Sequence, residues 1–530
     1  MRVRSLSAAF TIIAVCALVG GLFGRAALSA QDQVPDQYKV FTAALKAVED
    51  KYVGEYETDR LVYSAITGML QTLDPHSSFM DPRSFAQMRE RQEGRYYGLG
   101  ITINVVQGDV TVFNVFEGSP AYQKGLRRGD VIVLIEGEAT KGWNTEQAVR
   151  KLRGPKGTSV NIAVRRATYD EPIKLAVMRD EVHIPTVPAA LMLDATTGYI
   201  KLQDFGENTD QELGRALREL TQKGMKRLVF DLRGNPGGAL DQAIRVSNRF
   251  LPKGNLIVYT RGRVANSDQD YRATETSDFL NLPMVTLVSR TSASASEIVA
   301  GALQDHDRSL IVGETTFGKA LVQSVYRLSQ GAGAAITTAR YYTPSGRMIQ
   351  RPWDGTFDEY LTYIYRDQDG NKTHKESDLK LTDSGRKVYG GGGIEPDHFI
   401  PGPVEGFSPT PFSRMLASRN AFVGFSSKFA KEGDNRPGAR SAAKYKVAAG
   451  WTVTPAMLAD FRDFVSSAHL KFDEDAYKAD EAFIKAMIHY EVDSDLFGAG
   501  EARRNLVRID PQTQASLQYF DEAKKLIEKK

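Results

Sequence analysis

The stretch from Gly198 to Ala339 restricts the fold more than any other part of the chain. Apolar runs that read as strands (YIKLQDF, RLVFDLRG, LIVYTRG, MVTLVSR, SLIVGE) alternate with runs of helical spacing (DQELGRALRELTQKG, ALDQAIRVSNRFL, SEIVAGALQD). Parallel strands need crossover connections, and helices supply them. The alternation therefore predicts βαβ units and a largely parallel sheet covered by helices. In such a sheet the functional loops belong at the carboxyl ends of the strands.

The remainder of the 530 residues surrounds this α/β region with segments of different character, since the chain is too long for one core. Residues 1–30 read as a targeting segment: Arg2 and Arg4 precede an apolar run from Ala8 to Gly24, and small residues end at Ala30. This predicts export to the periplasm or cell envelope, with cleavage or retention as a membrane anchor left open. Residues 35–84 have helical spacing. Residues 85–178 are β-rich and carry one clear helix, TEQAVRKLRG, capped by Asn144. The α/β region proper is assigned to 180–400, and 401–530 is again helical, a packing or oligomerisation element. The sole cysteine, Cys16, lies in the targeting segment, so the rest of the chain has neither disulfide, thiol nucleophile nor cysteine metal site. Basic and acidic residues, 68 against 65, nearly balance. With no basic run interleaved with aromatics, nucleic acid is not an expected partner.

Three loops of the α/β region hold the chemistry. Asp231–Gly238, DLRGNPGG, is a glycine-rich turn from strand to helix that presents backbone N–H groups, suited to an oxyanion and equally to a tight connection. In RTSASASEIVAGAL, Ser294 and Glu297 form an S-x-x-E capping box before an apolar helix. A serine there caps the helix, and it also places a hydroxyl at the positive end of the helix dipole beside the N–H of Ala295. Ser292, Ser294 and Ser296 remain alternatives on this reasoning alone.

The third loop, Val312–Gln323, contains G-x-x-x-x-G-K from Gly313 to Lys319. Ala320 stands where a nucleotide-binding loop needs Ser or Thr, and the following residues alternate like a strand, which argues against a phosphate site. The seven histidines are scattered, with no HExxH and no GxSxG. Lys319 is the alternative base for a serine, provided apolar neighbours such as Phe317, Leu321 and Val322 hold it neutral.

These strings, together with GETTFGK followed by VQ, YYTPSGR and GGGIEPD, resemble those of the carboxyl-terminal processing peptidases, also called tail-specific proteases. The β-rich module, with YYGLGI and GSPAYQKGLRRGDVIVLIEG, resembles a PDZ domain at the place where that family has one. The resemblance runs from about residue 35 to 400, leaving out the stretch 351–389 and the tail. It implies Ser294 as nucleophile, Lys319 as general base and Gln323 as the group orienting the lysine. It implies an oxyanion hole from the N–H of Ala295 with that of Gly237 or Gly238, and a grip on a substrate carboxylate by the N–H groups of Leu99, Gly100 and Ile101. The expected partners are proteins with exposed carboxyl-terminal tails, with membrane attachment and self-association open, and neither metal nor cofactor is implied. The competing reading is an exported PDZ scaffold without catalysis. Two features depart from the family: Ala320 replaces a glycine, and a straight strand would hold Lys319 and Gln323 about 13 Å apart, so the chain must bend between them.

Overall fold

The computed structural model describes residues 36–166, 169–353, 359–360, 362, 374–402, 409–434, 443–467 and 472–528. The expected targeting segment lies outside them, as do residues 354–358, 361 and 363–373 of the stretch 351–389. Among the described residues no helix is long and apolar enough to cross a membrane.

A six-stranded sheet forms the centre, in the order Ala189–Met192, Thr197–Lys201, Arg227–Asp231, Met284–Val288, Leu310–Gly313 and His398–Phe399. The first pair is antiparallel and the other four pairs are parallel. Helices Thr209–Gln222, Leu240–Asn248 and Ala295–Asp305 are the crossovers anticipated from the alternation. Side chains of successive strand residues leave on opposite faces. Leu228, Phe230, Met284 and Ile311 meet Leu217, Val246 and Val299 of these helices on one face. Val229, Val285, Leu287, Leu310 and Val312 point to the other, which is covered by Val507, Phe520, Ala523 and Leu526.

That second cover comes from the end of the chain. The tail divides in two: helices between Pro411 and Leu496 build a core of their own around Phe422, Phe425, Phe461 and Ile488. The last helices, Ala499–Ile509, Pro511–Ser516 and Phe520–Glu528, belong to the central sheet.

Among the described residues outside the central sheet the pairing is antiparallel, apart from the short ladder Phe429–Lys431 with Tyr445–Val447 and the isolated parallel bridge of Phe205 with Gly238. A second sheet contains the hairpin Leu321–Arg327 and Gly333–Tyr342, with Ser78–Met80 and Leu256–Arg261 also paired to the long second strand. The β-rich module is a sheet of five main strands between Ile101 and Met178 with the short helix Pro120–Gln123 and the longer Thr145–Leu152, which begins in a full capping box on Asn144 and Gln147. Strands Arg95–Gly98 and Asp180–His183 pair antiparallel and close the stem through which the chain enters and leaves it. Arg128 of the module meets Glu491 of the tail at 2.5 Å, both largely buried, so the tail also holds the module.

Candidate functional site

All three loops converge at the carboxyl ends of the central strands. Strand Arg227–Asp231 runs into the glycine-rich loop, Met284–Val288 into the serine loop and Leu310–Gly313 into the lysine loop. Parallel neighbours end on the same side of a sheet, so this convergence follows from the topology.

The three serines of the second loop differ. Ser292 is fully buried; its hydroxyl donates to Leu232 O at 2.8 Å and accepts the Ser289 N–H at 2.9 Å. Ser296 is also fully buried and donates to Asn235 O at 3.0 Å. Both hydroxyls are spent fastening the serine loop to the glycine-rich loop. Ser294 is partly exposed, and its Oγ makes no hydrogen bond to the described residues. The expected capping box of Ser294 and Glu297 is present, without a side-chain cap hydrogen bond to the serine hydroxyl. The Glu297 carboxylate accepts the Ser294 N–H at 2.8 Å, but the Glu297 N–H goes to Ser294 O rather than to the hydroxyl. Ser294 has φ 55° and ψ −114°. A side-chain-bearing residue held there costs on the order of 1–3 kcal/mol, the kind of strain found at functional turns.

Gly237 and Gly238 lie against this turn with φ +102° and +149°. A Cβ on Gly237 would stand 2.8 Å from Ala293 O and 2.9 Å from Ala295 N. The Gly237 N–H is committed to Asn235 Oδ1 at 2.9 Å. The N–H groups of Gly238 and Ala295 find no acceptor among the described residues. Gly237→Ala is expected to lower kcat at least about 100-fold by displacing the start of helix Ala295–Asp305, with a stability loss of about 1–3 kcal/mol in urea unfolding. Unchanged kcat would remove this loop from the site.

The loop is braced from the tail. Arg233 is bonded to Asp231 at 2.7 Å and reaches Asp510 and Gln512 at 2.8 Å and Thr513 at 3.1 Å. Burial opposes the charge on Asp231, but the guanidinium of Arg233 and the ammonium of Lys201 outweigh it and hold the carboxyl well below its usual range.

Lys319 follows the third strand. Residues after it form a strand and not a helix, so Gly313–Lys319 is not a phosphate loop at a helix start. Burial draws the Lys319 ammonium below its ordinary pKa, against the opposing pull of Glu297 and Asp74. Ala320 does not have positive φ, so alanine sits there without backbone strain; its N–H is bonded to Gln350 Oε1 at 2.8 Å. The ladder is irregular beside Gln323: Val322 pairs with Ala339 and Gln323 with Thr337, so the extra residue, Thr338, bulges the facing strand Gly333–Tyr342 and not the segment from Lys319 to Gln323. Gln323 Nε2 donates to Thr337 Oγ1 at 3.2 Å; no hydrogen bond joins Gln323 to Lys319.

Two buried residues join Ser294 to Lys319. One oxygen of Glu297 accepts the N–H of Ser294 at 2.8 Å and that of Lys319 at 2.9 Å, so the two nitrogens lie under about 6 Å apart. The Tyr341 hydroxyl contacts the carbonyl oxygens of both residues.

A model for peptidase family S41 matches residues 196–356, one for a PDZ domain matches 112–166, and one for the N-terminal domain of the activating protease CtpB matches 24–84. A carboxy-terminal-processing protease of Bartonella bacilliformis is 38% identical over 314 residues, which cover 58% of this chain and 72% of that protein. The chain belongs to the carboxy-terminal processing proteases of peptidase family S41. A carboxy-terminal processing protease of Bacillus subtilis, CtpA, is 34% identical over 341 residues, 63% of this chain and 72% of its own length. A solved photosystem II D1 C-terminal processing protease aligns over 70% of this chain and 95% of its own, at 29% identity and a TM-score of 0.36.

In this protease the PDZ module offers an open edge. Strand Ile101–Val106 ends the module's sheet, and helix Thr145–Leu152 lies against it. Leu99, Gly100 and Ile101 lead into that strand. The Tyr96 phenol stands against the N–H groups of Gly100 and Ile101; burial pushes its pKa up. Arg153 covers the Tyr96 ring at 4.7 Å.

Sequence reasoning missed several residues of the site. The helical segment before the PDZ module sends the loop Asp74–Ser77 to the lysine. His76 donates to or accepts from Tyr360 at 2.8 Å, and burial together with the nearby charge of Lys319 draws its pKa down to about 4, so it stays neutral. Ser77 Oγ donates to Asp74 at 2.7 Å and accepts the Thr337 N–H at 3.1 Å, next to Gln323. Ser78–Met80 is zipped to the strand carrying Thr337, and this pairing, 250 residues distant in sequence, leaves no local signal. Glu297 was visible as a capping residue. Its bond to Lys319 was not.

Proposed function

We propose that the protease is an exported serine endopeptidase in which Ser294 is the nucleophile, Lys319 its general base and Gln323 the group that orients the lysine. The observation that carries this reading is a serine in a strained turn, its hydroxyl uncommitted, tied through one buried carboxylate oxygen to the backbone of a desolvated lysine. Neutral Lys319 takes the proton from Ser294 Oγ as the oxygen attacks the scissile carbonyl. The oxyanion is held by the N–H groups of Ala295 and Gly238, the two left without acceptors. Protonated Lys319 then gives its proton to the leaving amine, an acyl-enzyme remains, and water activated by Lys319 hydrolyses it. Gln323 takes its orientation from Thr337, leaving Oε1 to accept from the amine.

The substrates are proteins with unstructured carboxyl-terminal tails. The tail adds a strand beside Ile101–Val106, and its carboxylate takes the N–H groups of Leu99, Gly100 and Ile101 in place of the Tyr96 phenol. Arg2, Arg4 and the apolar run that follows support export; finding the protein only in the cytoplasm would overturn this part.

One substrate pair tests the reading. A protein with an apolar tail and the same protein amidated at its carboxyl terminus are offered to the purified protease. Amidation is expected to raise KM about tenfold or more with little change in kcat, while a fluorophosphonate labels Ser294 in the absence of substrate. A non-catalytic scaffold would bind the tail, cut neither protein and take up no label.

A further inference from the structure

We propose that Glu297 is a positioning residue of the protease, its buried carboxylate fastening the nucleophile loop to the lysine loop and so setting the approach of Lys319 to Ser294. The inference rests on the assignment of those two residues as nucleophile and base.

The geometry is specific to a carboxylate. Glu297 is wholly buried and accepts four hydrogen bonds. One oxygen takes the N–H groups of Ser294 and Lys319, at 2.8 and 2.9 Å. The other takes the Gly318 N–H at 2.6 Å and the Thr316 hydroxyl at 2.5 Å. Three of the four partners are backbone N–H groups, which only donate, so the site asks for acceptors alone. An ionised carboxylate meets that demand; a protonated one or an amide turns a donor against a donor. A helix cap needs only the Ser294 bond. The three bonds to Thr316, Gly318 and Lys319 do nothing for the helix and fix the lysine loop instead.

Tyr341 completes the tie from the opposite polarity. Its hydroxyl, near the end of the long strand Gly333–Tyr342, contacts the carbonyl oxygens of the same two residues, Ser294 and Lys319. Both residues thus have their backbone N–H and C=O groups fastened by a shared side chain. Neither Glu297 nor Tyr341 reaches the place a substrate would occupy, since both are buried behind the backbone of the residues they hold.

The carboxylate also acts on Lys319 through its charge. Burial pushes the Glu297 pKa up to about 7, and its negative charge opposes the fall in the Lys319 pKa. The other charged or titratable groups facing this pair are Asp74, which adds to the pull on Lys319, neutral His76, Arg351 beside His76, and the phenols of Tyr341 and Tyr360. Removing the charge at position 297 leaves Lys319 with less to hold its proton.

The test compares the full-length parent with Glu297→Gln and Tyr341→Phe. Each is read by peptide cleavage and by the rate of fluorophosphonate labelling of Ser294 across pH 5 to 10. Glu297→Gln is expected to lower kcat and the labelling rate at least tenfold with KM unchanged. It is also expected to move the rising limb governed by Lys319 to lower pH, because a negative neighbour has gone. Tyr341→Phe keeps the charge, so it should lower kcat about tenfold with the limb in place. A Glu297→Gln limb that coincides with the parent's overturns the proposal, and so does a folded Glu297→Gln protein of parental kcat. If that variant does not fold, parental kcat in Tyr341→Phe overturns it. Failure of the underlying assignment looks different: the parent itself would not label at Ser294.

Discussion

Lys319→Met is expected to abolish turnover while raising thermal stability. A general base contributes on the order of 10²–10⁴ in rate, and in the proposed mechanism the same amine serves both the attack and the hydrolysis of the acyl-enzyme, so a loss of at least about 10³ in kcat is expected. Ser294→Ala should be as inactive. The stability effect has the opposite sign because burial depresses the Lys319 pKa in the folded protein. A base whose folded pKa lies below its unfolded value destabilises the fold. That penalty is full at pH values below the folded pKa and vanishes as pH rises past the unfolded value. Methionine of similar length escapes it, so the melting temperature should rise at neutral pH and the gain should fade toward pH 11. In the parent, activity should climb with pH as Lys319 loses its proton. A Lys319→Met protein that still cleaves at a tenth of the parental rate would exclude the lysine as base.

Deleting residues 499–528 is expected to remove the cooperative unfolding transition altogether. These helices place Val507, Phe520, Ala523 and Leu526 on one face of the central sheet, where they pack with Val229, Val285, Leu287, Leu310 and Val312. Each large apolar side chain buried this way contributes roughly 1.5–3 kcal/mol, and the strand residues lose as much again when exposed. A domain has about 5–15 kcal/mol in total, so the deletion exceeds what the sheet can lose. It also frees Arg233 from Asp510, Gln512 and Thr513, leaving the Asp231–Gly238 loop without its outer brace. The truncated chain should be insoluble, or soluble without a sharp melt. A transition within a few degrees of the parent would show the helices to be an appendage.

The alternation of strand and helix over Gly198–Ala339 was legible because each element repeats its own period over several turns or residues, but Leu256–Arg261, read into the parallel sheet, pairs antiparallel in the second sheet, since a strand's period does not name its partner. The same pattern located the three loops, since topology puts strand ends together. What sequence could not choose among Ser292, Ser294 and Ser296, hydrogen bonding distinguishes: two hydroxyls are consumed by Leu232 O and Asn235 O, and one is left. The bulge at Thr338, in the strand facing Gln323, left no signal in the residues from Lys319 to Gln323, because a bulge depends on how two strands pair. Asp74, His76 and Ser77 were illegible: a polar loop between helices gives no hint that it will dock beside a lysine some 250 residues away. The final helices read as ordinary amphipathic segments, and an apolar stripe does not say which surface it will cover.

That last cover sets an order of events. The central sheet opens near Ala189 and its far face closes only with Leu526, so the core is a contact of very long range along the chain. Loop closure over such a span is slow, and it cannot begin until the end of the polypeptide has been delivered. The anchor of Arg233 at Asp510 arrives equally late. A chain lacking these last helices therefore carries the Asp231–Gly238 loop without its outer brace and the central sheet with one face uncovered.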